Sequence, residues 1–336
     1  MRPVGGGALR ASGGAPRFET PRLETRVGEV VLANPVMTAS GTSGLGGELA
    51  GYVDLASLGA VVVKSLSAQP WQGNPAPRVI GTASGMLNSV GLDNPGMAEW
   101  LRRDLPTLAA TGATVVVSVW GFSVEAYKEV ASQLRSAVLA GQAPGVVAVE
   151  VNISCPNVED RRRMFAHSAE GVAAAVGATF EGLQGALPIW AKLSPNVTDL
   201  TSLAGAAAAS GAAAVTLINT LMGLALDPAT GRPRLGGGGG GLSGPAIHPV
   251  AVRAVYDCRA AWPDLPIVGV GGVTSGVGAA ELICAGADAV QVGTATFADP
   301  RAPARIASEL VSWADAHGVT DLRQLKGIAH ERDRGC

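Results

Sequence analysis

The stretch Glu150-Val-Asn152-Ile-Ser154-Cys155-Pro156-Asn157 brings two amides, a hydroxyl and a thiol together directly behind an apolar run, Val146-Val147-Ala148-Val149. The run reads as a buried parallel strand, and Pro156, with no N–H to give to a ladder, stops it. Apolar strands seldom end in so dense a polar set. Where they do, the usual reason is chemistry at the carboxyl end of a sheet. Cys155 is the one cysteine in such a setting. Cys258 and Cys284 fall among apolar residues of helical pattern and read as core, and Cys336 is the last residue. With Asn152 and Asn157 beside it, Cys155 reads as a nucleophile or general base rather than a packing residue. His167 lies twelve residues on, and His248, His317 and His330 sit in helical or tail segments. None is placed to activate the thiol, which points away from a thiol hydrolase and toward a thiol that accepts a proton.

Lys64 and Lys192 each close an apolar run. A buried ammonium is costly without a partner. Three readings stay open: two positive charges facing anions inside a mouth, a lysine paired to a neighbouring strand's carboxylate, or a Schiff-base lysine as in barrel aldolases. Gly271-Gly272 and Gly293-Thr294 follow the last two strand-like runs. Glycine lets backbone N–H groups approach a phosphate closely, and barrels commonly hold phosphate there. Ordinary tight turns would leave the same residues.

The elements that must position these groups alternate regularly. Strand-like runs fall near 36–39, 60–64, 114–119, 146–152, 188–193, 213–219, 266–270 and 287–292. Helical patterns fill 97–109, 124–140, 168–183, 200–209, 249–261, 276–285 and 301–316, with a weaker one at 47–58. Eight strands alternating with eight helices predict an α/β fold, the (β/α)8 barrel. Periodicity alone also permits an open doubly wound sheet. In a barrel the strand ends converge on one mouth: Ala39-Ser40, Lys64-Ser65, Ser118, Asn152 to Asn157, Lys192, Asn219-Thr220, Gly271-Gly272 and Gly293-Thr294. Two long connections, from 65 to about 95 and from 220 to about 244, follow strand ends and read as lids or binding loops. Residues 23–34 alternate as a short hairpin around Gly28, suited to plug the barrel's bottom.

Composition sets the bounds. The 336 residues are 47% hydrophobic and 15% charged, enough for one large core. A net charge of −2 and no basic patch with aromatics exclude nucleic acid as a partner. The only basic run, Arg161-Arg162-Arg163, reads as a solvated loop. Widely spaced cysteines without a CxxC pair argue against a disulfide framework, a metal site or an iron–sulfur cluster, and fit reduced thiols in the cytoplasm. No run of 18 apolar residues implies a membrane span. We expect a disordered tail over 1–18, a barrel domain over 19–318 and a C-terminal tail over 319–336.

Several motifs together resemble one family. They are Asn152-Ile-Ser-Cys-Pro-Asn157, Lys192-Leu-Ser-Pro-Asn-Val-Thr-Asp199, Gly241-Leu-Ser-Gly-Pro-Ala-Ile247 and Gln291-Val-Gly-Thr294. Further ones are Asn34-Pro-Val-Met-Thr-Ala-Ser-Gly-Thr42, Gly85-Met-Leu-Asn-Ser-Val-Gly-Leu92 and Leu217-Ile-Asn-Thr220. The set resembles the class 1 dihydroorotate dehydrogenases, in wording nearest the NAD-linked class 1B catalytic subunit. The resemblance implies an FMN-containing barrel that oxidises (S)-dihydroorotate to orotate in pyrimidine synthesis. By it, Cys155 takes the C5 proton while a hydride passes from C6 to flavin N5. Lys64, Asn88, Asn152, Asn157, Asn219 and Thr220 hold the substrate, since an amide offers both donor and acceptor to a pyrimidine dione. Lys192 sits near flavin N1/O2 as an electrostatic catalyst. Ala39, Ser40, Ser65, Ser118, Asn152, Ser243, Gly244, Gly271, Gly272, Gly293 and Thr294 line the FMN, the glycine pairs and Thr294 at its phosphate. The family further implies a homodimer and, for class 1B, a partner subunit with FAD and a [2Fe-2S] cluster that passes electrons to NAD+. A fumarate-using class 1A enzyme and a dihydropyrimidine dehydrogenase-like flavoprotein are the alternatives. The chain departs from the family at Ser118, where many members carry Asn, and in the basic loop after Asn157. A run of six glycines, 236–241, replaces a more varied segment and suggests an unusually flexible loop.

Overall fold

The computed structural model describes residues 21–154 and 165–331. Cys155, Asn157, the three arginines and the N-terminal tail lie outside the described residues. Eight parallel strands form the central sheet: Val36–Thr38, Val61–Val62, Val115–Val119, Val146–Asn152, Ile189–Leu193, Ala214–Leu217, Ile267–Val270 and Ala289–Val292. In space the first strand pairs with the eighth, and the rest follow in descending order to the second. The first and second strands then meet. Gly59 N–H donates to Val36 O at 2.8 Å and Thr38 N–H to Ala60 O at 3.1 Å. The Thr38 hydroxyl accepts from Val62 N–H at 2.9 Å. These bonds join the two edges, so the (β/α)8 barrel holds and the open sheet does not.

Helices follow the strands where the sequence places them, at Met97–Ala109, Val124–Leu139, Ala169–Leu183, Leu200–Ala209, His248–Ala261, Gly276–Ala285 and Ala302–Ala316. Side-chain caps start several of them: Ser123 accepts from Ala126 N–H, Ser168 from Gly171 N–H, Asp199 from Ser202 N–H and Ser275 from Gly278 N–H. The eighth expected helix, at 47–58, is replaced by two 3-10 turns, Glu48–Gly51 and Leu55–Ser57. Glycines at 44, 46, 47 and 51 make a helix nucleus costly there. The Glu48 carboxylate instead takes the N–H groups of Leu45 and Gly46 at 3.1 and 2.7 Å.

The hairpin Thr25–Val27/Val30–Leu32 closes the barrel's amino-terminal end. Val27, Val30 and Leu32 pack with the inward-facing Met37, Val62, Val116, Ala148, Trp190, Ala214, Val268 and Ala289 as one buried apolar floor. The outward-facing strand residues, such as Val115, Val149, Ala191, Val215 and Val290, pack in the larger core that holds the helices. Past residue 318 the chain carries two more 3-10 turns, with Leu322 and Leu325 buried. Arg22 N–H donates to Thr320 O at 2.8 Å, which ties this stretch to the start of the described chain.

The two long connections, expected as lids or binding loops, form a sheet of their own. Val79–Thr82, Gly85–Asn88, Gly240–Ser243 and Leu221–Gly223 form a four-stranded antiparallel sheet. The six-glycine run is part of this roof rather than a slack loop. Gly236 N–H donates to Pro77 O at 2.8 Å, and Gly241 pairs with Asn88. A Cβ on Gly236 would lie 2.2 Å from Pro75 O, and one on Gly237 2.3 Å from Ser89 Oγ. Bare backbone at these positions is what the close packing requires.

Candidate active site

A cavity of about 640 Å³ lies between the barrel mouth and the roof sheet. It draws residues from the ends of seven strands and from both long connections. Ala39, Ser40, Lys64, Ser65, Asn88, Asn152, Lys192, Asn219, Thr220, Ser243, Gly244, Gly271, Gly272, Gly293 and Thr294 all line it. Fifteen residues chosen from sequence therefore converge on one space. Ser118 does not line it. Its hydroxyl stands 2.9 Å from that of Ser65, one layer behind the wall. Ser118 is fully buried within the third strand, whereas Ser65 lies past the end of the second strand and borders the cavity. Ser154, the residue before Cys155, is in the lining.

One wall is a chain of amides and hydroxyls. Asn152 Nδ2 donates to Ser65 Oγ at 3.2 Å. Asn219 Nδ2 donates to Asn152 Oδ1 at 3.2 Å and to Ser154 Oγ at 3.0 Å. The end of the fourth strand is held from behind by Tyr127, whose hydroxyl donates to Asn152 O at 2.8 Å. Asn196 pins the connection after the sixth strand: its Nδ2 donates to Thr220 O at 3.0 Å and its Oδ1 accepts from Met222 N–H at 2.8 Å. Asn88 reaches in from the roof and donates to Gly241 O at 3.3 Å. Such fixed amides suit a planar ring that carries both donors and acceptors.

The two lysines differ. Lys192 is buried, and its Nζ donates to Ser40 Oγ at 3.0 Å, Glu150 Oε1 at 3.2 Å and Gln291 Oε1 at 3.2 Å. Pairing to a neighbouring strand's carboxylate therefore holds for Lys192, together with a place in the cavity wall. Lys64 makes no ion pair among the described residues. Burial pushes its ammonium below the ordinary lysine value, the Asp93 carboxylate works against that shift, and Arg78 adds to it.

The third feature is a glycine cradle. Gly244, Gly271 and Gly272 have φ of 98°, 143° and 65°. A Cβ on Gly272 would fall 2.7 Å from His248 Cβ, and one on Gly271 2.6 Å from Ala251 Cβ. Beside them the Thr294 hydroxyl donates to Ser243 Oγ at 2.7 Å. His248 Nδ1 lies 2.7 Å from Gly271 O and Nε2 lies 3.1 Å from Glu281 Oε2, which braces the cradle. Sequence reading passed over His248, Asn196, Glu150 and Gln291 as site residues. Asn196, Gln291 and Glu150 stand inside stretches already noted, so their position there was the available signal; His248 directly follows one such motif.

Among the described residues no group of three or more His, Cys, Asp or Glu is placed to hold a metal ion. No helix there is long and apolar enough to cross a membrane.

A family model described as Dihydroorotate dehydrogenase matches residues 22–313. A protein of Desulforudis audaxviator named dihydroorotate dehydrogenase B (NAD(+)), catalytic subunit, is 46% identical over 301 residues, 90% of this chain and 95% of that protein. One of the same name from Geobacter metallireducens is 43% identical over 310 residues, 92% of this chain and 99% of that protein. A protein of Solibacter usitatus, whose name assigns it provisionally to dihydroorotate dehydrogenase A (fumarate), is 44% identical over 308 residues, 92% of this chain and 98% of that protein. The match spans the barrel and both connections that roof the cavity, and the chain belongs to the dihydroorotate dehydrogenase family.

Proposed function

We propose that this chain is the FMN-binding catalytic subunit of a dihydroorotate dehydrogenase. It would oxidise (S)-dihydroorotate to orotate and pass electrons through an FAD/[2Fe-2S] partner to NAD+. The observation that carries the reading is the meeting, in one cavity, of the amide–hydroxyl wall, of Lys64, which makes no ion pair among the described residues, and of the glycine cradle. The family implies a flavin. The residues present fit FMN: backbone glycines with the Ser243 and Thr294 hydroxyls suit a phosphate, and the Lys192 ammonium suits an electron-rich ring edge. Bound FMN supplies the hydride acceptor.

The chain's own residues do the rest. Lys64 meets the substrate carboxylate with its positive charge. Asn88, Asn152, Asn219 and Thr220 orient the ring through paired donors and acceptors. Cys155, next in sequence after the cavity-lining Ser154, takes the C5 proton, and Asn157 completes the amide set. A thiol of ordinary pKa about 8.5 becomes a usable base once a cation favours the thiolate. The names of the relatives, most of them catalytic subunits, support a separate partner subunit and the NAD-linked route. The unpaired thiols Cys258 and Cys284 fit a reducing cytoplasm, and the family pattern suggests a homodimer.

The test is anaerobic. Dihydroorotate added to the flavin-loaded chain should bleach the oxidised flavin band. Cys155→Ala should keep the flavin and lose most of the bleaching rate. A yellow protein that dihydroorotate does not bleach would defeat the substrate assignment, and near-normal bleaching by Cys155→Ala would defeat the base assignment.

A further inference from the structure

The barrel interior carries a charged layer between its apolar floor and the cavity. Glu150, on the fourth strand, is 0% exposed. Its Oε1 accepts from Lys192 Nζ at 3.2 Å and its Oε2 from Gln291 Nε2 at 2.7 Å. Gln291 Oε1 in turn accepts from Lys192 at 3.2 Å, so the three side chains form a closed ring of hydrogen bonds. Of the three, only Lys192 reaches the cavity wall.

Burying a carboxylate is costly even when it is paired, and well-packed apolar residues of similar volume often serve stability as well or better. The layer just beneath shows that this barrel can fill itself that way, with Trp190 on the fifth strand and Ala148 on the fourth. Glu150 follows Ala148 on the same inward face of its strand. Stability alone does not account for a carboxylate there. What it does account for is the charge that the cavity meets. An ammonium alone presents a full positive charge to a ligand. An ammonium backed by a carboxylate presents a dipole, with a weaker field that falls off faster.

We propose that Glu150 is a positioning residue that sets the field of Lys192 in the cavity, and that Gln291 fixes the Glu150 side chain for this role. The inference rests on the flavin reading above. It makes the Glu150–Lys192 pair a control on how readily the bound flavin is reduced. A bare ammonium favours the anionic reduced ring strongly, and the backing carboxylate moderates that preference, which keeps onward electron transfer favourable.

The test uses the flavin-loaded chain, equilibrated anaerobically with a redox dye of known potential. Glu150→Gln keeps the shape and removes the charge; its amide oxygen can still accept from Lys192, and the bond from Gln291 Nε2 is lost because the Gln291 oxygen stays on Lys192. The variant should shift the equilibrium toward reduced protein flavin by on the order of tenfold. Glu150→Asp, which keeps the charge, should stay within about twofold of the wild type, by the same electrostatic argument. A Glu150→Gln equilibrium equal to the wild type would overturn the proposal, whatever its turnover. Should that variant not fold, Glu150→Met, which keeps Lys192 and replaces the carboxylate with an apolar side chain of similar length, is measured in the same way and should shift the equilibrium in the same direction. An equilibrium equal to the wild type would again overturn the proposal. A wild-type chain that takes up no flavin would fail the functional reading first, and this inference with it.

Discussion

Gly241 and Thr220 stand so close that a Cβ on the glycine would lie 2.0 Å from the Thr220 hydroxyl. The roof sheet thus presses bare backbone against a residue of the cavity wall. Gly241→Ala must push Thr220 aside, and we expect orotate affinity to fall on the order of tenfold while the flavin stays bound. Gly81→Ala, on the same roof but facing open space, should leave both unchanged. Titration of orotate against flavin absorbance checks both variants.

Lys64 should make anion binding depend on pH. Its burial lowers the ammonium pKa from 10.5, so its charge is lost at a lower pH than that of an ordinary lysine. Orotate affinity should therefore weaken as pH rises through that lowered value. Lys64→Met should bind weakly and lose this alkaline dependence. For stability the sign is opposite: the unfolded chain holds the proton more tightly. The cost of burying the charge is fully present below the folded pKa and is relieved as pH climbs toward 10.5. A variant that keeps the wild-type pH profile would remove Lys64 from the ligand's surroundings.

Cys258 should be chemically silent. It is buried, and desolvation with the nearby Asp257 and Asp199 carboxylates pushes its thiol up to about 12. Burial raises Cys284 as well, and Glu281 adds to it. Alkylation of the native protein at neutral pH, read by peptide mass spectrometry, should leave Cys258 unlabelled until denaturant is added. Rapid labelling of Cys258 in the folded chain would show that the helix His248–Ala261 is not packed as described.

The apolar floor should carry much of the barrel's stability. Trp190 is fully buried in it against the amino-terminal hairpin. Trp190→Ala should cost about 3–5 kcal/mol, read from the denaturant midpoint, because the surrounding strands cannot close the cavity left behind. A loss under about 1 kcal/mol would mean that the hairpin does not plug the barrel tightly.

The chain's own letters determined the alternation. The strand read at 146–152 forms as Val146–Asn152, and the helix expected over 276–285 forms as Gly276–Ala285, because buried runs and capped amphipathic segments are local signals. The strand-end residues were legible for the same reason: polar groups at the end of an apolar run are conspicuous wherever the sheet curls. Three matters waited for the tertiary structure. The roof sheet is built from glycine-rich strands whose faces show no apolar alternation, so no period announced it. The region around 47–58 is also pinned from outside, with Trp100 Nε1 donating to Leu45 O at 2.7 Å and Asn34 Nδ2 to Ser57 O. Glu150 acquired its meaning only from Lys192, 42 residues away, and Gln291, 141 residues away. A sequence states which face of a strand a side chain takes. Only closure of the barrel decides which distant strands bring their inward faces together, and hence which charges must share one buried layer.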